Sequence, residues 1–273
     1  MKILFIGEIV GKCGIFCVKN ILPKLKERYN FDLIIANGDG ATGGFGLGKN
    51  HAIYLHKLGI DIITGGECIY YKKDIVEHIS QAPYILRPAN FPYGNPGRGF
   101  TLLQTPQGKI AVISLLGQSG FERIHLASPF FCVKSILDKI SSDAKIVIVD
   151  FHAATTSEKY SLFYYLAGQV TAVIGSHARA ITADAKILAG KTAVLCDAGR
   201  TGNSFSPAGL DPEVEIRKYL TQIHSYSQVK CEYLELQGAI VECDADGKAT
   251  AISILKEACQ EAFHDSNREN HPD

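Results

Sequence analysis

The sequence has no net charge: 28 Lys and Arg balance 28 Asp and Glu over 273 residues, and the pI is near 7.1. An overall field that would draw the protein to nucleic acid or an anionic membrane is therefore excluded, and any such partner must be recognised locally. No uninterrupted apolar run approaches the roughly 18 to 20 residues of a membrane-spanning helix. The first ten residues superficially resemble a signal peptide, but Glu8 breaks the apolar stretch and no small-residue cleavage site comes after it, so the chain reads as cytoplasmic. The eight cysteines include no C-x-x-C pair, which excludes a zinc knuckle or a small disulfide framework and makes reduced, mostly buried thiols the expectation. The segment from Gly7 to Cys13 is one residue short of a P-loop and lacks its Ser/Thr, and no G-x-S-x-G elbow occurs. ATP binding by that loop and an α/β-hydrolase mechanism are excluded with them.

What is present is a composition rich enough, at 46% hydrophobic, to bury a sizeable core. Short β-branched runs alternate with amphipathic stretches, the pattern of parallel strands joined by crossover helices. Strands are predicted at 2–7, 32–37, 61–65, 145–151 and 171–176, and helices at 18–29, 47–58, 73–79, 129–140 and 157–167. The middle (84–89, 100–104, 109–116) and the C-terminal third (185–188, 192–196, 231–243, 249–255) add further strands, the last two joined by a hairpin at Asp244-Ala245-Asp246-Gly247. Two packed sheets with helices outside accommodate both sets. No repeat or linker divides the chain, so residues 1–263 are expected to form one α/β unit and 264–273 a frayed tail.

The informative residues stand just after the early strands, because ligands of open α/β sheets bind at the carboxyl ends of strands. Glu8 comes after the first, Asp39 after the second, Glu67 and Cys68 after the third, His152 after the fourth and His177 after the fifth. Each alone is commonplace in a loop. Together they place carboxylates and imidazoles on one rim, a donor set suited to Mn, Fe or Zn.

The order Gly7-Glu8-Ile9-Val10-Gly11-Lys12, Ala36-Asn37-Gly38-Asp39, Arg87-Pro88-Ala89-Asn90, Asp150-Phe151-His152-Ala153, Thr156-Ser157-Glu158-Lys159, Gly175-Ser176-His177, Thr182-Ala183-Asp184 and Asp197-Ala198-Gly199 resembles the bacterial YmdB-like metallophosphoesterases in collinear order over about 260 residues. The resemblance implies a calcineurin-like four-layer α-β-β-α sandwich with two mixed sheets. It also implies hydrolysis of phosphodiesters, notably 2′,3′-cyclic nucleotides, at a two-metal site.

The departures fall on that site. Where the family has Asp, Glu-Asn, Asn-His, His and His-x-His, this chain has Glu8, Asp39-Gly40, Glu67-Cys68, His152 and His177-Ala178-Arg179. Glu8, Asp39, Glu67, His152 and His177 are the candidate metal ligands, sufficient for one divalent ion, Mn, Fe or Zn. Arg179 stands where the second ion's imidazole is expected, and a guanidinium has no lone pair to donate, so the second metal site is expected to be lost. Arg179 either supplies fixed positive charge between Glu8 and Asp39 or faces solvent. Cys68 takes the place of the family's proton-donating histidine, as a catalytic thiol or as a buried one. Gly40 removes an amide side chain from the phosphate's surroundings. Three readings fit these residues: a one-metal phosphodiesterase of impaired activity on nucleotide-type phosphodiesters, a noncatalytic phosphate- or nucleotide-binding or regulatory pseudoenzyme, and a scaffold, with a homo-oligomer compatible with each.

Two weaker signals lie nearby. The glycine-rich stretch from Asp39 to Gly46 could cradle phosphate or merely connect elements. Arg200 could add anion affinity to the rim or face solvent.

Overall fold

The computed structural model describes residues 1–105, 108–121 and 124–263. The expected tail, residues 264–273, lies outside the described residues. Two sheets account for the strands. The first runs β2 (Glu8–Ile9), β12 (Arg200–Asn203), β13 (Leu234–Cys243), β1 (Lys2–Ile6), β3 (Leu33–Asn37), β4 (Ile62–Thr64) and β5 (Ile85–Leu86), with β14 (Ala249–Ala258) paired to β13. The second runs β10 (Lys186–Leu188), β11 (Thr192–Leu195), β9 (Ala172–Ser176), β8 (Ile146–His152), β7 (Gly108–Leu116) and β6 (Phe100–Thr105). Each contains a parallel block, β1-β3-β4-β5 and β7-β8-β9-β11, with antiparallel strands beside it.

The side-chain period of two divides each strand between two cores. Ile3, Phe5, Leu33 and Ile35 face Ile110, Val112, Ile146, Ile148 and Ile174 across the seam between the sheets. The alternate residues Leu4, Ile6, Ile34 and Ala36 pack under α1 (Gly11–Tyr29), α2 (Lys49–Lys57) and α3 (Lys73–His78). On the other outer face Ala111, Ile113, Val147 and Val149 pack under α4 (Pro129–Ile140) and α5 (Thr156–Leu166). Helix, sheet, sheet, helix is the four-layer order expected.

Three elements differ from expectation. Helix α1 begins at Gly11, seven residues before the predicted 18, because Cys13 and Cys17 continue the buried stripe of Val18, Ile21, Leu22 and Leu25. Pro23 sits on its solvent side and leaves the helix continuous. Strand β12 is only Arg-Thr-Gly-Asn, too polar to read as a strand, yet it pairs with both β13 and β2. Helix α6 (Pro212–Thr221) buries none of its residues and so shows no core-facing stripe, but Asp211 caps it by accepting from the Glu213 and Val214 N–H groups. The thiols also differ: Cys13 on α1 and Cys231 before β13 are joined as a disulfide with Cα atoms 5.3 Å apart, whereas Cys17, Cys68, Cys132, Cys196, Cys243 and Cys259 are free. Cys13 and Cys231 are 218 residues apart along the chain, too far for any local pattern to link them.

Candidate functional site

The carboxyl ends of the two parallel blocks open onto one rim. The first sheet delivers Glu8 on β2, Asp39 after β3, and Glu67 and Cys68 after β4; the second delivers His152 at the end of β8 and His177 and Arg179 after β9. All seven sequence-predicted residues therefore lie on this rim, in two clusters.

In the first cluster a donor atom from each of Glu67, His152 and His177 lies within 4.8 Å of the others, as do donors from Asp39, Glu67 and Cys68. His152 Nε2 is 2.7 Å from Glu67 Oε2 and 3.2 Å from His177 Nδ1, while His177 Nδ1 is 3.4 Å from Glu67 Oε1. Asp39 Oδ2 is 3.9 Å from His152 Nε2. Asp39 is wholly buried and fixed by two backbone donors, Gly66 N–H at 2.6 Å to Oδ1 and Cys68 N–H at 2.9 Å to Oδ2. A side chain at Gly66 would run into the His152 ring, so glycine is needed there for space. Glu67 Oε2 is buried with His152 Nε2 as its close neighbour. The Glu67, His152 and His177 donors, with the Asp39 carboxylate beside His152, are a donor set suited to a divalent ion.

Behind His152 lies a buried polar network. Asp150 accepts from Ser176 Oγ at 2.7 Å and Asn37 Nδ2 at 2.9 Å, and also from the Thr64 hydroxyl. Because Ser176 gives its only proton to Asp150, its oxygen accepts from His152 Nδ1–H at 2.9 Å. That commits Nδ1 to the network behind the ring and leaves Nε2 facing the ligand cluster. The motifs containing Asn37, Asp150 and Ser176 are visible in the sequence, but no role is legible in them there. The signal is polarity inside fully buried strand runs such as Ile-Val-Ile-Val-Asp-Phe-His.

In the second cluster Arg179, 7% exposed, donates from Nη2 to Glu8 Oε1 at 2.6 Å and to the Gly44 carbonyl at 2.6 Å, and from Nη1 to the Ala208 carbonyl at 3.3 Å. Its guanidinium also lies 5.4 Å from the centre of the Phe45 ring. Arg200 is buried too, donating to the carbonyls of Asn203, Ser204, Ser206 and Arg179, so it neither faces solvent nor offers itself to an anion. In the glycine-rich stretch the Thr42 N–H donates to the Gly46 carbonyl and the Gly46 N–H to the Asp39 carbonyl.

The turn carrying His177 and Arg179 is strained, with φ of +94° and +53°, in the left-handed region that side chains other than glycine seldom adopt. It is held by Asp197, which accepts from the Ala178 N–H at 2.9 Å between the two strained residues and from Lys159 Nζ at 2.8 Å. Lys159 and Asp197 are both buried, at 2% and 1% exposure.

Crowding sets the electrostatics of the rim. Burial and the neighbouring Glu67 raise the Asp39 carboxyl to about 7. Burial pushes His152 toward the neutral form, but the Glu67 carboxylate and its hydrogen bond outweigh that and raise the imidazole to about 10. Burial acts upward on Glu67 as well, yet His152 and then His177 hold its carboxyl below the usual range. The Cys68 thiol is pushed far up by burial and by the Asp39, Glu67 and Glu8 carboxylates, so it stays protonated.

The chain is similar to known proteins over nearly its whole length. It is 36% identical over 254 residues to a 2′,3′-cyclic-nucleotide 2′-phosphodiesterase of Bacillus subtilis, covering 93% of this chain and 95% of that one. A crystal structure of a novel phosphatase from Mycoplasma pneumoniae superposes with a TM-score of 0.90 at 30% identity, covering 94% of this chain and 93% of that chain. That of a hypothetical protein from Thermus thermophilus superposes with a TM-score of 0.88 at 29% identity, covering 94% and 99%. A model of the YmdB-like protein family matches residues 4–255, and the chain belongs to that family.

Proposed function

We propose that this protein binds one divalent ion, Mn, Fe or Zn, through Glu67, His152, His177 and Asp39, and takes nucleotide-type phosphodiesters as its ligand, hydrolysing them more slowly than a two-metal site would. The observation that carries the reading is the convergence of the Glu67, His152 and His177 donor atoms within 4.8 Å. The Bacillus subtilis relative's activity supports the substrate class. An ion bound there would supply a Lewis acid to a phosphoryl oxygen and lower the pKa of a bound water.

The chain's own residues set the conditions for that chemistry. Ser176 and Asp150 hold the His152 ring so that Nε2 faces the ion. The Gly66 and Cys68 N–H groups fix Asp39 against the same point. Arg179 neutralises Glu8 and so lowers the repulsion that an incoming phosphate would meet from the carboxylates. Cys68, protonated and 4% exposed, offers neither a thiolate nucleophile nor a strong acid to the leaving oxygen. That last observation favours the second reading, a regulatory or binding protein that holds metal and phosphate without turnover.

Metal content after manganese, iron or zinc loading, followed by assay of a 2′,3′-cyclic nucleotide with and without chelator, tests both. About one ion per chain with chelator-sensitive hydrolysis supports the enzyme. One ion with hydrolysis no faster than the chelated control supports the binding protein, and no retained ion overturns the metal reading.

A further inference from the structure

We propose that Arg179 is the built-in cation of the Glu8 half of the site, occupying the space where a second divalent ion would otherwise sit, and that Gly40 is the residue that admits it. The inference rests on the one-metal reading for the neighbouring cluster, but its own geometry is independent of it. Glu8 is 2% exposed, and one carboxylate oxygen has Arg179 Nη2 at 2.6 Å as its partner while the other, Oε2, is buried without any. A buried carboxylate needs a cation or several donors, because its desolvation otherwise costs several kcal/mol. The guanidinium meets that need from within the chain. It is held by backbone carbonyls as well as by Glu8: Gly44 O at 2.6 Å, Ala208 O at 3.3 Å, and Phe45 across its face.

The space for it depends on residue 40. A Cβ built on Gly40 would lie 2.8 Å from Arg179 Nη2, 2.9 Å from Glu8 Oε1 and 2.9 Å from the Ile9 carbonyl oxygen. Gly40 is not among the residues of positive φ, so its backbone conformation suits any L residue, and the requirement for glycine is steric alone. Any side chain at 40 would press at once on the guanidinium, the Glu8 carboxylate and the Ile9 carbonyl, and the two side-chain ends have the freedom to give way. The long Glu8, the bare Gly40 and Arg179 are therefore one coupled arrangement. Arg179 offers no lone pair and sets a fixed positive charge against Glu8 Oε1, so this half of the site does not fit a metal while Arg179 stays in place.

Two measurements test this. The first is manganese bound per chain at equilibrium in the wild type and in Arg179→His, with Arg179→Lys as a control that keeps a cation and circular dichroism confirming the fold. The expectation is about one ion for the wild type and Arg179→Lys and about two for Arg179→His. Two ions in the wild type, or a folded Arg179→His that stays at one, would overturn the inference. No ion in the wild type would overturn the one-metal reading instead, and the second measurement then decides the inference alone.

That measurement is the rate at which an arginine-specific dicarbonyl reagent labels Arg179, read by peptide mass spectrometry against the exposed Arg217. Arg179 should be protected in the wild type and labelled at a rate approaching that of Arg217 in Gly40→Ala. Equal labelling of Arg179 and Arg217 in the wild type, or unchanged protection in a folded Gly40→Ala, would overturn it.

Discussion

His152 shows how much of this site is decided by atoms one layer behind the ligands. Its Nε2 faces Glu67 only because Nδ1–H is accepted by Ser176, whose own proton is committed to Asp150. Ser176→Ala should therefore weaken metal binding by about 10- to 100-fold while every ligand atom remains, as read by calorimetric titration. The same imidazole gives the metal-free protein a pH dependence. His152 is raised from 6.5 to about 10 in the fold, so its ion pair with Glu67 contributes fully below about pH 6.5, and that contribution is lost as pH rises toward 10. The urea midpoint of chelated protein should fall across that range, and His152→Gln should flatten the slope; a flat wild-type profile would contradict the pairing. At this scale the residue types of the rim are legible in the sequence, since Glu8, Asp39, Glu67, His152 and His177 all come just after predicted strands. Their division into two clusters is not legible. It depends on Gly40, whose meaning is a contact with a residue 139 positions away that no local pattern encodes.

At the scale of elements, the turn after β9 is where local preference and function conflict. His177 and Arg179 both adopt left-handed backbone, a cost of about 1–3 kcal/mol each that surrounding structure must offset. The Lys159–Asp197 pair, reaching from α5, grips the N–H between them. Asp197→Ala leaves Lys159 charged and buried, and should cost about 3–5 kcal/mol in urea unfolding. It should also weaken metal binding, because His177 rides on the released turn. Calorimetric titration of the folded variant checks this second effect, which a purely structural pair would not produce. The strands of the parallel blocks are readable because fully buried strands are continuous β-branched runs. Strand β12 and helix α6 are not, one being polar yet paired on both sides and the other lacking a buried face.

For the whole molecule, the four-layer order arises from a period of two in each sheet and a period near 3.6 in the helices that cover them. That much is present in the residues, and the family match over 4–255 agrees with it. The disulfide between Cys13 and Cys231 is not, because its partners meet only once the C-terminal hairpin lies over α1. The seam between the sheets carries one more implication. Asp39 and Glu67 belong to the first sheet and His152 and His177 to the second, so an ion bound among them would rivet two layers already joined by apolar contact and by the Asn37–Asp150, Thr64–Asp150 and Glu8–Arg179 bonds. Binding is then coupled to cohesion: at a free-ion concentration one hundred times the dissociation constant, the native state gains about 2.7 kcal/mol over the unfolded chain. Thermal melts in graded manganese should rise accordingly, and the rise should vanish in Glu67→Ala. The two sheets would thereby report, in their melting temperature, whether the metal is bound between them.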